Sequence, residues 1–130
     1  MFSHEHFEKI LPGLKLFNQQ KYWECHEVLE DPWFEDQGDP VRNVYWAVIQ
    51  VAAALHHVQN QNLTGSIGMI KKAQEKISKC EDLRLETPLL EEKLNWNHFK
   101  SLVNDLYSQS SLNDFEILCQ FRFPDPKMNV

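Results

Sequence analysis

The stretch from Asn43 to Ser66, which contains no charged side chain, restricts the fold more than any other feature of the sequence. With Val41 added, this stretch has the residue spacing of a helix with two inward-facing sides. One side contains Val41, Tyr45, Val48, Ala52 and Leu55, and the other contains Trp46, Gln50, Ala53 and His57. A helix that is apolar on two sides and rich in alanine lies in the middle of a bundle. Interspersed polar residues leave about fifteen apolar ones, fewer than the ~20 that a membrane span needs. We therefore expect a buried central helix over about 41–61 and no membrane partner.

Amphipathic periodicity predicts further helices on both sides of the central one. They cover about 7–18, 21–34, 63–80, 88–95 and 96–108. Pro12 is expected to kink the first helix on its solvent side, or to lie in the first turn of a helix that begins at Leu11. Pro32 is expected to distort the last turn of the second helix or to end that helix near Glu30.

Two dipeptides, Asp39-Pro40 and Thr87-Pro88, have the composition of a helix start, with an N-cap before a proline at the first helical position. The C-terminal tail differs, because Phe115, Ile117, Cys119, Phe121 and Phe123 alternate with mostly polar residues as in a strand. One strand without a partner is not stable. We expect an extended or briefly helical tail that packs over the bundle and ends at Pro124-Asp125-Pro126.

These elements predict an all-α fold, a single up-and-down bundle or array of four to six helices with an extended C-terminal tail. The chain of 130 residues is long enough for one domain. We expect a core bundle over about 5–109 and a tail over about 110–130. The core helices are those that contain Leu14, Leu29, Val48 and Ile70.

Composition restricts the partners and the compartment. The net charge is −6 and the basic residues form no block, so we expect no nucleic-acid partner. Cys25, Cys80 and Cys119 are odd in number and far apart, which argues against a disulfide framework and a cysteine zinc site and favours a reduced, cytoplasmic setting. The first residues lack the basic and apolar regions of a signal peptide. His4 and His6 are expected to be solvated.

The stretch from Tyr22 to Trp33 contains most of the candidate chemistry. At about 100° per residue, His26 falls near the middle of the buried face and Glu30 follows one turn later at its edge. The sequence His26-Glu27-Val28-Leu29-Glu30 resembles the zinc-protease motif HExxH with glutamate in place of the second histidine. A divalent metal would take His26 and Glu30 as ligands, with His56 or His57 as the third, and Glu27 as the general base.

Other interpretations of the same residues remain open. His26 and Glu30 are also consistent with a satisfied polar network between two helices, which is the more common arrangement in small bundles, and with a metal-free catalytic pair. They are also consistent with a ligand pocket between the second and third helices. Its predicted lining is His26, Glu30, Trp33, Arg42, Trp46, Gln50 and His57. A fourth interpretation is a homo-oligomer or scaffold that docks through its aromatic tail.

Two blocks of sequence resemble the family called domain of unknown function 309. The first is Phe17-Asn18, then Tyr22-Trp23-Glu24-Cys25-His26-Glu27-Val28-Leu29-Glu30 and Trp33, and the second is Ile49 to His57 with Asn62 and Gly65. The resemblance covers about Phe7 to Ile77. It departs from the family pattern at Gln61, where a glycine is usual, and at Ser66, where an alanine is usual.

This resemblance implies an all-helical bundle without an assigned function, in a bacterial cytoplasm or a plastid stroma. It also implies that His26, Glu27 and Glu30 face the helix that runs from Gln50 to His57. We therefore expect a small helical module that binds an unidentified small molecule or partner at this polar seam. The alternatives are a metal-dependent hydrolase that uses His26, Glu30 and His57, and an oligomerisation or scaffold protein.

Overall fold

Residues 1–125 are described by the computed structural model of the chain, and they are all-helical. The α-helices are α1 (His4–Asn18), α2 (Tyr22–Glu35), α3 (Arg42–Gln59), α4 (Leu63–Asp82), α5 (Pro88–Leu94), α6 (Trp96–Asn104) and α7 (Glu116–Gln120), and a 3₁₀ turn spans Leu112–Phe115. The predicted helical class is confirmed. The described part contains seven α-helices rather than four to six, because the expected tail contributes α7.

The central position predicted for the alanine-rich stretch is confirmed, because α3 packs against α2 on one side and α4 on the other. Ten of its residues are buried, among them Val48 and Ala52. α1 packs on the outer side of α2. The residues expected to mark the core helices, Leu14, Leu29, Val48 and Ile70, all lie in one hydrophobic cluster. Burial of this cluster is the main contribution to stability.

Neither internal proline ends its helix. α1 begins at His4 and runs through Pro12, so a helix start at Leu11 is wrong. α2 continues through Pro32 to Glu35 rather than stopping near Glu30. Pro32 is buried, and its carbonyl accepts a hydrogen bond from the amide of Asp36 at 3.0 Å, which completes the last turn. Tertiary packing therefore holds this turn in place despite the amide hydrogen that proline lacks.

Two of the connecting turns show how the sequence starts a helix. Thr87 caps α5 by accepting a hydrogen bond from the Leu90 amide at 3.3 Å, as the Thr87-Pro88 pair predicts. Asp39 accepts from the Val41 amide at 2.9 Å, but α3 begins only at Arg42, so this carboxylate caps the turn that precedes the helix.

The tail is briefly helical, one of the two forms that we expected, and its aromatic rings pack into the core. Ser111 and Asp114 form a capping box that starts the 3₁₀ turn, and α7 follows directly. Beyond α7, Phe121 and Phe123 are buried, and Asn18 exchanges two hydrogen bonds with the backbone of Phe123 at 2.8 and 2.9 Å. The expected end at Pro126 lies outside the described residues.

None of the helices within residues 1–125 has the length and apolar character that a membrane crossing requires.

Candidate functional site

The predicted pair on α2 is close together but lies at the edge of the buried face. His26 Nδ1 is 3.3 Å from Glu30 Oε1, and the two side chains are 23% and 51% exposed. The centre of the inner face is occupied by Leu29 and Cys25, both fully buried. We expected His26 near the middle of that face. The helix is rotated so that His26 faces the boundary between protein and solvent.

Aromatic rings surround His26 on its solvent side. The Trp23 ring stacks on His26 with centroids 4.9 Å apart, and it contacts the His56 ring of α3 at 5.1 Å. Trp23 is 46% exposed. Glu27, the candidate base, is exposed on the outer face of α2. The end of the α2–α3 seam where α2 begins and α3 ends is therefore an open aromatic surface rather than an enclosed pocket.

His57 does not join the pair on α2. Its Nδ1 lies 3.3 Å from Asn62 Nδ2, and its ring packs against the backbone of Gly65, where an added Cβ would lie 2.8 Å from His57 Cγ. Among the described residues, His26, Glu30 and His57 do not bring three ligand atoms within 4.8 Å of one another. The structure therefore brings together two of the three predicted metal ligands, His26 and Glu30. The third, His57, packs against α4 instead.

The other end of the seam is a row of two indole rings with a cation at each end, which we call the aromatic ladder. Its members are Arg42, Trp33, Trp46 and Lys76. The Arg42 guanidinium lies 4.2 Å from the Trp33 ring centroid, the two indoles meet edge to face at 5.2 Å, and Lys76 Nζ lies 3.6 Å from the Trp46 centroid. Each cation–π contact contributes about 0.5–2 kcal/mol. The ladder connects α2, α3 and α4 through side chains.

The seam also contains the buried polar atoms that lack partners. Across residues 1–125, the buried side-chain nitrogens without a hydrogen bond are His26 Nδ1, Trp33 Nε1 and Arg42 Nε. The contact between His26 and Glu30 is short enough for an ion pair, but its direction is not that of a hydrogen bond. An unsatisfied buried polar group costs about 1–3 kcal/mol. All three atoms belong to residues of the predicted pocket lining, in which Gln50 is half-buried between Trp46 and His57 on α3.

A second polar cluster was not predicted from the sequence. His6, Asp36 and Asp39 place ligand atoms within 4.8 Å of one another, and His6 Nε2 is 2.8 Å from Asp39 Oδ2. The expectation that His6 is solvated is therefore wrong, whereas His4 is exposed as expected. The neighbours of this cluster satisfy it, since Lys9 and Tyr45 donate to Asp36 at 2.9 and 2.8 Å.

These contacts change the acidity of the cluster. Burial by itself raises the pKa of Asp36, but the hydrogen bonds from Lys9 and Tyr45 outweigh it, so that the pKa lies below its usual value. For Asp39, burial is likewise outweighed by the Val41 amide and His6, and the pKa is lowered. Both carboxylates are therefore held in the charged form. The only local signal for the cluster is the capping-box spacing of Ser3 and His6.

The cysteines offer no reactive thiol at the seam. All three are free, and burial raises the pKa of Cys25 and of Cys80 to about 12. The pKa of Cys119 is also raised by burial. A thiol that stays protonated near neutral pH is a poor nucleophile.

A known protein family matches the part of the chain that contains the α2–α3 seam. Residues 10–69 match the family model described as Domain of unknown function (DUF309). The family resemblance predicted from the sequence is thereby confirmed over most of α1, all of α2 and α3, and the first turns of α4. The segment that matches the family model contains the whole α2–α3 seam and every member of the aromatic ladder except Lys76.

The chain is also similar to a protein of Bacillus subtilis (strain 168), described as "Uncharacterized protein YpuF". The two are 36% identical in an alignment of 69 positions that covers 50% of this chain and 40% of the relative. The chain thus matches less than half of the length of this relative. No solved structure matches the chain.

Proposed function

We propose that the chain is a protein-binding module that docks a partner on the surface formed by α2 and α3. This docking face comprises Trp23, His26, Glu30, Trp33 and Phe34 of α2 with Arg42, Trp46 and His56 of α3. The observation that carries the proposal is the position of the three buried nitrogens that make no hydrogen bond, which all lie along this face. Buried polar groups are almost always hydrogen-bonded, so three without a hydrogen bond along one face mark the place where the chain does not satisfy itself and where side chains would rearrange on docking.

Aromatic exposure on the same face supports a protein partner. Phe34 is 66% exposed and Trp23 is 46% exposed, one near each end of α2. On the helical wheel they fall within about 20° of each other, next to Glu30 at the solvent edge of the docking face. Tryptophan and arginine are enriched among the residues that dominate protein–protein binding. The face therefore has the composition of an interface and an open shape that suits a protein segment.

The other interpretations have less support. A metal-dependent hydrolase needs His57 beside His26 and Glu30, whereas His57 packs against Asn62 and Gly65. A scaffold that docks through its tail needs the tail aromatics outside, whereas Phe121 and Phe123 are buried in their own chain. A cytoplasmic or stromal location remains part of the proposal, supported by the three free cysteines.

Position-specific photo-crosslinking tests the docking face. A benzophenone amino acid replaces Phe34 in the chain expressed in its native host, and a second chain carries it at Tyr107. The two positions are a matched pair, since Phe34 is 66% and Tyr107 is 60% exposed, and Tyr107 follows α6 away from the seam. We expect a protein adduct of discrete mass from position 34 and none from position 107. Equal labelling from both positions, or none from position 34, would contradict the proposal.

A further inference from the structure

The basic side chains beside the aromatic ladder form a stripe along α4. At about 100° per residue, Lys72, Lys76 and Lys79 fall within roughly 60° of one another. Lys76 lies over the Trp46 ring, so the stripe begins where the ladder ends. Among the described residues, none of these lysines has a carboxylate within 4.0 Å.

Arg42 extends this group of cations across to α3. Its guanidinium stacks on Trp33, its Nε is buried without a hydrogen bond, and no described carboxylate pairs with it. Lys9 and Lys100, in contrast, are neutralised by carboxylates, Lys9 by Asp36 and Lys100 by Glu81 and Glu86. In a chain with a net charge of −6, Arg42, Lys76 and Lys79 thus form a local group of cations around the ladder that no described carboxylate pairs with.

A shallow cleft connects the two parts of the patch. It has a volume of about 280 Å³, and Arg42, Trp46, Pro40, Lys79 and Leu83 are among the residues that line it. Asp39 lies in the same cleft, but its carboxylate is compensated by His6 and by the Val41 amide. The cleft therefore combines two free cations with apolar walls, which is the chemistry that holds carboxylates interspersed with apolar side chains.

Resting on the proposed function, we infer that the partner presents an acidic segment and that this segment binds in the cleft between α3 and α4. The ladder positions the Arg42 and Lys76 charges in advance, because the indole faces beneath them restrict their side chains. A nucleic acid fits less well, since cations already cover the Trp33 and Trp46 rings and leave little face for base stacking.

Titration with defined peptides tests this inference on the full chain. One short peptide alternates glutamate with leucine and serine, and the second has glutamine in place of each glutamate. Binding is followed through the indole N–H signals of the chain in a proton–nitrogen correlation spectrum. We expect the acidic peptide to shift the Trp33 and Trp46 signals but not that of Trp96, which is buried and donates to Glu86 at 2.7 Å. Added salt should weaken the shifts.

Charge reversal on α4 provides the matched variants. Lys79→Glu and Lys71→Glu change the net charge equally and both positions are exposed, but Lys71 lies outside the stripe. We expect Lys79→Glu to weaken binding of the acidic peptide roughly fivefold or more and Lys71→Glu to change it less than twofold.

Several outcomes would overturn the inference. These are equal shifts with the glutamine peptide, equal effects of the two charge reversals, an absence of shifts, or stronger shifts with a single-stranded oligonucleotide. A negative peptide titration can be distinguished from a negative crosslinking experiment on the docking face. A crosslink at position 34 without any preference for the acidic peptide would retain the protein-binding module and reject the acidic segment alone.

Discussion

Asp36 is the residue that ties the amino-terminal end of the chain to the turn between α2 and α3. Its two carboxylate oxygens accept from Lys9 Nζ at 2.9 Å and from the Tyr45 hydroxyl at 2.8 Å. Burial and the Asp36 hydrogen bond raise the pKa of Tyr45, so the phenol remains a donor at every physiological pH. Since the pKa of Asp36 is lowered by these partners, its charged form stabilises the folded state.

We predict that Asp36→Asn lowers the free energy of unfolding by about 1–2 kcal/mol at neutral pH. A carboxylate with a lowered pKa contributes stability above its unfolded value of about 3.8, and this contribution is lost as the pH falls through the folded value. The wild type should therefore lose stability below about pH 4, and the variant should lose less. Urea unfolding between neutral and acidic pH measures both effects. Asp31→Asn, at an exposed position on α2, is the control, and equal losses in the two variants would disprove the prediction.

Single residues also show which part of the site the sequence can predict. Helical spacing alone places His26 and Glu30 together and puts Trp33 and Trp46 at the same seam, because these positions depend only on the geometry of two helices. His57 and His6 are different. The orientation of His57 depends on how closely α4 approaches at Gly65, and His6 meets Asp39 across 33 positions of the chain. Such tertiary contacts leave no periodic signal in the sequence.

Close approach at glycine sets the spacing of two helix pairs. A Cβ at Gly13 of α1 would lie 2.5 Å from Leu29 Cδ2 on α2, and one at Gly65 of α4 would lie 2.8 Å from His57 Cγ on α3. A Cβ at Gly68 would meet nothing within 4 Å. Gly13 and Gly65 therefore allow neighbouring helices to approach closely, whereas the space beside Gly68 is free for a side chain.

We predict that Gly13→Ala and Gly65→Ala each destabilise the protein by about 1–3 kcal/mol, because an added methyl group overpacks the interface. Gly68→Ala is the matched control and should stabilise α4 by up to about 1 kcal/mol, since alanine has the higher helix propensity. Thermal unfolding followed by circular dichroism distinguishes the three variants. A gain in stability for Gly65→Ala equal to that for Gly68→Ala would show that α3 and α4 can move apart at no cost.

The sequence predicts the positions of the helices more accurately than the residues at which they end. Amphipathic periodicity locates α1 to α6, because burial of one face is a property that each helix carries in its own residues. The continuation of α2 through Pro32 and the helical turn α7 do not follow from it. Both depend on burial supplied by the rest of the chain, for Pro32 in the core and for Phe115 and Leu118 in the tail.

On the scale of the whole molecule, the tail closes the hydrophobic core. The rings of Phe121 and Phe123 meet Phe17 of α1 and Phe99 of α6 with centroids 4.9 to 6.4 Å apart. Asn18 fixes the end of this arrangement through its two hydrogen bonds to Phe123. We therefore propose that the chain forms one domain in which the tail is a structural part of the bundle.

Phe123→Ala separates this structural role of the tail from the proposed role of the docking face. Phe123 is 2% exposed, so its truncation should cost about 3–5 kcal/mol of unfolding free energy through lost burial and a cavity between α1 and α6. Phe34→Ala removes the same group from a site that is 66% exposed and should change stability by less than about 0.5 kcal/mol. Urea unfolding of both variants, with size-exclusion chromatography to record the oligomeric state, makes the comparison. If Phe123→Ala changed the oligomeric state while leaving the unfolding midpoint unaltered, the tail would be an interface rather than part of the core.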